Sequence, residues 1–205
     1  MQCYICGATT EAVGSRDGVT YEACPSRCCL QCPEQPCVYP DKEDQHYWAA
    51  IGRNDNGTLH RRLDTVLHYL RTPFTALDYG CGQGHFVRFL RGRGVVTQGY
   101  DPHEPDWQTP VTGQYHLVTL LEVVEHLGPA LMPTLKTLVE EHLHPGGLLY
   151  VATALWTGQR SEQWWYVGPQ RGHISIISSR GIEELARQLD LEVLDHRDSI
   201  LMKRR

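Results

Sequence analysis

A chain of 205 residues, 41% hydrophobic and 21% charged, can bury one sizeable core and still carry a small appendage. Its formal net charge of −5 argues against a broad nucleic-acid surface, while leaving room for a local basic patch. No apolar run approaches the ~20 residues that span a bilayer, and the N-terminus has no signal-like apolar region, so a cytoplasmic protein without a membrane partner is expected.

Seven of the eight cysteines fall between Cys3 and Cys37; the eighth is Cys81. Without an export signal, such clustering reads as metal ligation in preference to disulfides. Residues 1–40 are therefore expected to form a small zinc-binding module ahead of a main domain at 41–205. Cys3-Tyr4-Ile5-Cys6-Gly7 is a Cys-x-x-Cys-Gly knuckle that turns two thiolates toward one ion. Tyr21 to Cys24 reads as a short strand entering a second knuckle, which favours Cys24 and Cys28 as the other two ligands. Cys29 with Cys32 has the standard two-residue gap and is the rival pair. Four thiolates leave no open coordination position, so the site is read as structural. A module this small has little core, and the metal would supply much of its folding energy.

Pro33 to Lys42 is proline-rich and polar, a linker. Leu59, Leu63, Val66, Leu67 and Leu70 fall at helical spacing, and Thr72-Pro73 ends that helix. Ala76 to Tyr79 is a strand that enters Gly80-Cys81-Gly82-Gln83-Gly84, and Phe86, Val87, Phe89 and Leu90 give the next helix its apolar face. A strand passing through a glycine-rich turn into a helix lets a ligand approach bare backbone N–H groups. The spacing is Gly-x-Gly-x-Gly, not the Gly-x-Gly-x-x-Gly of dinucleotide sites. Val95 to Tyr100 is the next strand, with Asp101-Pro102 at its tip. The 23-residue interval from Asp78 to Asp101 is one strand-helix-strand unit, and it brings a second acid beside the turn, where it can reach ribose hydroxyls.

Residues 102–114 are too short for the helix and strand usual at this point of a doubly wound sheet. Tyr115 to Leu121 is a buried strand running into Glu122-Val123-Val124-Glu125-His126-Leu127. Leu131, Leu135, Leu138 and Val139 mark a helix, closed by His144-Pro145-Gly146-Gly147, and Leu148 to Thr153 is a strand. Ala154 to Gly172 carries Trp156, Trp164, Trp165 and Tyr166, the composition of an aromatic lid or of a simple cover for the sheet edge. A helix from Arg180 to Leu189 and two strands, Leu191 to Asp195 and Ile200 to Lys203, complete the chain.

Asp78 to Gly84 resembles the first motif of class I S-adenosylmethionine-dependent methyltransferases, and Asp101 matches their ribose-binding acid. Glu122 to Leu127 resembles the segment after the fourth strand of the ubiquinone-biosynthesis-like members, and His144 to Gly147 their Pro-Gly-Gly turn. The closing strands fall where the family has its antiparallel hairpin. The resemblance covers about residues 45–205, and a zinc-ribbon-like module ahead of such a domain is similar to a known subgroup. It implies an α/β fold, a Rossmann-like doubly wound sheet with a C-terminal antiparallel strand pair, and methyl transfer from S-adenosylmethionine to an oxygen, nitrogen or carbon atom of a small-molecule acceptor.

Carried over by position, Gly80, Cys81, Gly82 and Gly84 would let the methionine part of the cofactor lie on the backbone, and Asp78 would hold its amine. Asp101, with Pro102 beside it, would bind the ribose; Leu121 and Glu122 would line the sulfonium side. Arg53 or Arg61 would meet the cofactor carboxylate. The short segment after Asp101 lacks the family's adenine-contacting acid, a role left to Asp106 or Trp107. An acceptor that carries a proton needs a base, for which His126 and His173 are candidates, with Glu125 as partner to His126. An RNA methyltransferase using the cysteine module to grip RNA, and a non-catalytic cofactor- or zinc-binding scaffold, are the alternatives.

Overall fold

A computed structural model describes residues 1–16, 18–33, 56–159, 164–167, 172–196 and 199–205. Cys37, Arg53 and most of the expected linker lie outside the described residues. Three short strands open the chain: β1 (Glu11–Arg16), β2 (Val19–Ala23) and β3 (Cys29–Gln31). The expected helix is α1 (Asn56–Tyr69), followed by β4 (Thr75–Tyr79), α2 (His85–Arg91) and β5 (Val96–Tyr100). After a single 3-10 turn at Pro105–Trp107 come β6 (Tyr115–Leu121), α3 (Leu131–Thr137), β7 (Leu143–Ala152), β8 (Ser175–Ile177), α4 (Ser179–Gln188), β9 (Leu191–Asp195) and β10 (Ile200–Arg204).

The large sheet has the order β5-β4-β6-β7-β10-β9. β5, β4, β6 and β7 are mutually parallel, and β10 runs antiparallel between β7 and β9. This is the doubly wound sheet with a terminal antiparallel pair that the motif order predicts. Because one 3-10 turn replaces a helix and a strand after β5, β5 is the sheet's edge, and Val96 is exposed there. The strands bury both faces by simple alternation. Ala76, Leu117, Leu148 and Tyr150 face α1 and α2 through Leu63, Val66, Phe86 and Leu90. Their neighbours Leu77, Val118, Leu149 and Val151 face Leu131, Leu135, Ile182 and Leu185 from α3 and α4.

Two details depart from the sequence expectation. The helix marked by Leu131, Leu135, Leu138 and Val139 ends in a π turn at Leu138–His142. The chain is already extended from Leu143, so His144-Pro145-Gly146-Gly147 belongs to the start of β7 and does not stand as a separate turn before it. The second departure concerns the small sheet, whose order is β1-β2-β3-β8. Its fourth strand comes from 175–177, with Cys29 opposite Ile177 and Gln31 opposite Ser175. Cys3, Ile5, Cys24 and Cys28 pack in the same core as α3 and α4. No helix among the described residues is long and apolar enough to cross a membrane.

Candidate active site

The glycine turn follows β4 and is shaped by what packs on it. Gly80, Gly82 and Gly84 all have positive φ (73°, 50° and 74°), where a side chain is strained. A Cβ on Gly80 would lie 2.5 Å from Val123, and one on Gly84 2.2 Å from the Trp107 ring. Gly82 differs: nothing lies within 4 Å of its Cβ position, so its backbone faces open space. The N–H groups of Gly80 and Cys81 donate to the Tyr100 carbonyl at 2.7 and 3.1 Å, stitching the turn to the end of β5. Asp101 completes that connection. Its Oδ2 accepts from the Gly82 N–H at 2.9 Å and its Oδ1 from the His103 N–H at 2.8 Å. The acid and the open glycine are therefore one hydrogen-bonded unit; Pro102 is exposed just beyond it.

Asp78 is 2% exposed at the end of β4, and its Oδ1 accepts from the Thr119 hydroxyl at 2.6 Å. Burial pushes its carboxyl up to about 7, against the opposing pull of the Thr119 hydrogen bond and the Arg62 charge. Burial also raises the Cys81 thiol, to about 12, with the charges of Asp78 and Asp101 adding to it. Arg62, on α1, acts on Glu122 as well. Sequence reasoning singled out Arg53 and Arg61; Arg61 is exposed, and Arg62 is the helix cation whose charge reaches the site. The signal was available, since Arg62 directly precedes the buried Leu63.

The second half of the site grows from the end of β6. Leu121 is half-buried, and Glu122 takes a left-handed backbone with φ of 55° while its N–H donates to the Ala152 carbonyl at 2.8 Å. That kink turns the chain into a 3-10 turn at Val124–His126 and carries Glu125 into full burial, 0% exposed. Glu125 accepts from the Tyr166 hydroxyl at 2.7 Å and from the Thr153 hydroxyl at 3.0 Å, and the Tyr166 hydroxyl also lies 3.2 Å from the Glu122 carboxylate. Protein packed around the Glu122 carboxylate, and then the charge of Glu125, push Glu122 up to about 7. Desolvation raises Glu125 too. Glu122 and Glu125 therefore meet at one hydroxyl, each carboxyl held above its ordinary range by burial.

His126 and His173 meet at this pair. Their ring centroids are 4.8 Å apart, and the His173 ring lies 4.1 Å from that of Tyr166, tilted at 43°. His126 Nδ1 lies 3.0 Å from the Gly172 carbonyl and His173 Nδ1 2.8 Å from the Tyr166 carbonyl. Carbonyls only accept, so both Nδ1 atoms carry hydrogen. Burial lowers the His126 pKa, against the opposing pull of the Gly172 carbonyl and the Glu122 charge. Of the aromatic segment, Tyr166 is buried with its hydroxyl in the acid pair, whereas Trp165 is exposed. Trp107 lies across Gly84 and Gly99, with the Arg91 guanidinium 5.5 Å from its ring; Asp106 beside it is exposed.

The cysteine cluster lies apart from this site. The sulfurs of Cys3, Cys6, Cys24 and Cys28 all lie within 4.8 Å of one another. Cys6 and Cys24 are 3.5 Å apart, near the ~3.8 Å edge of a tetrahedron with ~2.3 Å zinc–sulfur bonds. Cys29 stands next to this set, 3.5 Å from Cys3, and Cys32 is fully buried in the small-sheet core. The gathered set is the one the knuckle spacing favours, and its donor chemistry fits a structural zinc.

The sequence profile of the methyltransferase domain family matches residues 51–196. Among curated proteins none matches the chain. Solved structures agree with the fold. An O-methyltransferase family protein from Burkholderia thailandensis aligns with a TM-score of 0.64 at 14% identity, over 82% of this chain and 61% of its own; the chain thus spans less than two thirds of that protein's length. The 1,6-didemethyltoxoflavin-N1-methyltransferase of the same organism, solved with 1,6-didemethyltoxoflavin and S-adenosylhomocysteine, aligns at 0.57 and 14% over 96% of this chain and 99% of its own. The amino pentose methyltransferase CalS10 of Micromonospora echinaspora, with bound SAM, aligns at 0.58 and 14% over 84% and 100%. With a family match over residues 51–196 and a parallel sheet carrying a glycine turn, the chain belongs to the methyltransferase domain family.

Proposed function

We propose that the chain is an S-adenosylmethionine-dependent methyltransferase acting on a small-molecule acceptor. One observation carries this reading: the Asp101 carboxylate is hydrogen-bonded to Gly82, the glycine of the turn with open space before it. Gly80 to Gly84 would receive the methionine part of the cofactor, Asp78 its amine, and Asp101 the ribose hydroxyls. Leu121 and Glu122 would line the sulfonium side. Trp107, at the edge where a strand is replaced by a 3-10 turn, is the side chain offered to the adenine. Bound S-adenosylmethionine supplies a methyl group on a sulfonium, already activated for displacement.

The chain's own task is alignment of the acceptor and removal of its proton. Glu122, raised to about 7, is suited to take that proton at neutral pH, with the Tyr166 hydroxyl holding its carboxylate in place. The acidic chain charge and the small-molecule methyltransferases among its structural relatives support a small acceptor over RNA. The Cys3–Cys6–Cys24–Cys28 cluster would hold a structural zinc in an N-terminal module of residues 1–40, leaving 41–205 as the catalytic domain.

Calorimetry with S-adenosylmethionine tests the reading. Binding by the purified full chain is expected, weakened about tenfold or more in Asp101→Ala through loss of charge-assisted hydrogen bonds. No binding by the intact protein would defeat the proposal, and unchanged affinity in the variant would displace the ribose from Asp101.

A further inference from the structure

Where the second cysteine knuckle meets the start of α4, a cleft of about 460 Å³ lies outside the site described above. Three distant segments build it: 25–27 from the knuckle, 156–158 from the loop after β7, and 178–180 from the cap of α4. None of them contains the glycine turn, the buried acids or a cysteine of the cluster. The guanidinium groups of Arg27 and Arg180 line the cleft, together with the hydroxyls of Ser26, Thr157 and Ser179. No acidic side chain lines it among the described residues, and none stands in the first turn of α4. On a chain of net charge −5, that is a local excess of positive charge.

Arg27 takes a left-handed backbone, with φ of 58°. Its N–H donates to the Cys24 carbonyl at 2.7 Å and its carbonyl meets the Ser178 hydroxyl, so this backbone is held at both ends. Glycine would sit there without strain; what arginine adds is the guanidinium. That group reaches the loop after β7, where a Cβ on Gly158, itself at φ of 98°, would stand 3.1 Å from Arg27 Nη2. Among the described residues no carboxylate pairs with Arg27. Arg180 has an exposed contact with Glu183 at 2.8 Å, the kind of pair that solvent largely screens. Trp156 forms a fixed apolar wall, its backbone N–H donating to the Ile177 carbonyl at 2.8 Å and its indole N–H to the Gln159 carbonyl at 3.0 Å. We propose that this cleft binds the phosphate of a small phosphomonoester whose apolar body rests on Trp156. Guanidinium forks match the terminal oxygens of a phosphate, and the three hydroxyls serve those that remain. A carboxylate, with two oxygens and one charge, leaves part of this donor set idle. The volume is that of a small-ligand pocket and exceeds what a phosphate alone fills. The site does not depend on the methyltransferase reading.

Phenyl phosphate and inorganic phosphate are the probes, titrated into the zinc-loaded full chain and followed by phosphorus NMR. Phenyl phosphate is expected to bind at one site per chain, severalfold tighter than inorganic phosphate, and to resist displacement by benzoate. Arg27→Gly and Arg180→Gln should each weaken it about tenfold or more. Arg27→Gly should do so without lowering the melting temperature or the zinc content, because it relieves the left-handed backbone. Arg180→Gln, on an exposed helix turn, carries the test if the knuckle variant fails to fold. No binding of phenyl phosphate, or unchanged affinity in the folded variants, would overturn the site. Equal affinity for the two phosphates would overturn the role of Trp156, and displacement by benzoate would overturn phosphate as the ligand group. A single-stranded RNA that binds tighter than phenyl phosphate, with the steep salt dependence of several phosphate contacts, would overturn the small ligand.

Discussion

Asp78 shows how far a single residue of the site departs from ordinary solution chemistry. The sequence places it at a strand end beside a glycine turn and so marks it as a ligand-binding acid. That it is nearly sealed from solvent, with Thr119 as its hydrogen-bond donor, depends on β6 lying alongside β4, which no local pattern shows. Burial lifts its carboxyl from 3.8 to about 7, so the folded protein holds a proton that the unfolded chain has lost over that range. Stability from this group is therefore fully present below about pH 4 and lost as pH rises through about 7. Asp78→Asn keeps an acceptor for Thr119 and removes the titration. Relative to that variant, the wild-type protein should lose up to about 4 kcal/mol between pH 4 and pH 7. Denaturant unfolding of both proteins at a series of pH values checks this; a constant difference across the range would show that Asp78 stays ionised. The same kind of argument applies to Glu122. If it takes the acceptor's proton, methyl transfer should rise with pH through about 7, and Glu122→Gln should flatten that limb of the pH–rate profile.

At the scale of elements, the turn from β4 to α2 was legible because each glycine is spaced for it, and the strands because their apolar residues alternate or run continuously. What the spacing did not reveal is that the glycines serve different ends. Gly80 and Gly84 make room for Val123 and Trp107, and only Gly82 faces open space. The partners come from 43 and 23 residues further along the chain, beyond the reach of any periodicity. The sequence leaves the adenine contact to Asp106 or Trp107, and Trp107 is also the packing that holds α2 against β5. Gly84→Ala should therefore cost about 2–4 kcal/mol, combining a strained positive φ with a Cβ 2.2 Å from the indole. In a Trp107→Ala background the same substitution should cost less than half of that, since only the backbone strain remains. A double-mutant cycle by thermal or denaturant unfolding measures the difference. Equal costs in both backgrounds would mean that the indole gives way freely and does not fix the turn.

For the whole molecule, the decisive pairing is the one between β3 and β8, which joins 29–31 to 175–177. The cysteine spacing suggested a small module at 1–40, and its knuckles and second strand do form there. The sequence carries no sign that the small sheet is completed from the far end of the chain, because strand pairing across some 145 residues leaves no local signature. The join is tight. The Ser178 N–H donates to the Cys28 carbonyl at 3.0 Å, the Ser178 hydroxyl donates to the same carbonyl at 3.1 Å, and that hydroxyl accepts from the Gly181 N–H at 3.1 Å as the N-cap of α4. A Cβ on Gly181 would fall 2.1 Å from the Cys28 oxygen, so helix and knuckle are in backbone contact. β8 leads directly from His173, which sits against Tyr166 and His126. A metal at the cysteine cluster would thus brace the acceptor side of the active site through β3, β8 and the α4 cap. Stripping zinc by chelation, or replacing Cys28 with Ser, should lower the melting temperature by at least about 6 °C, the shift that ~3 kcal/mol produces in a chain of this size. Hydrogen exchange should quicken at 175–185 as well as at 1–33, while the amides of β4 and β6 keep their protection. Faster exchange confined to 1–33 would show that the module unfolds alone and that the pairing with β8 transmits nothing to the site.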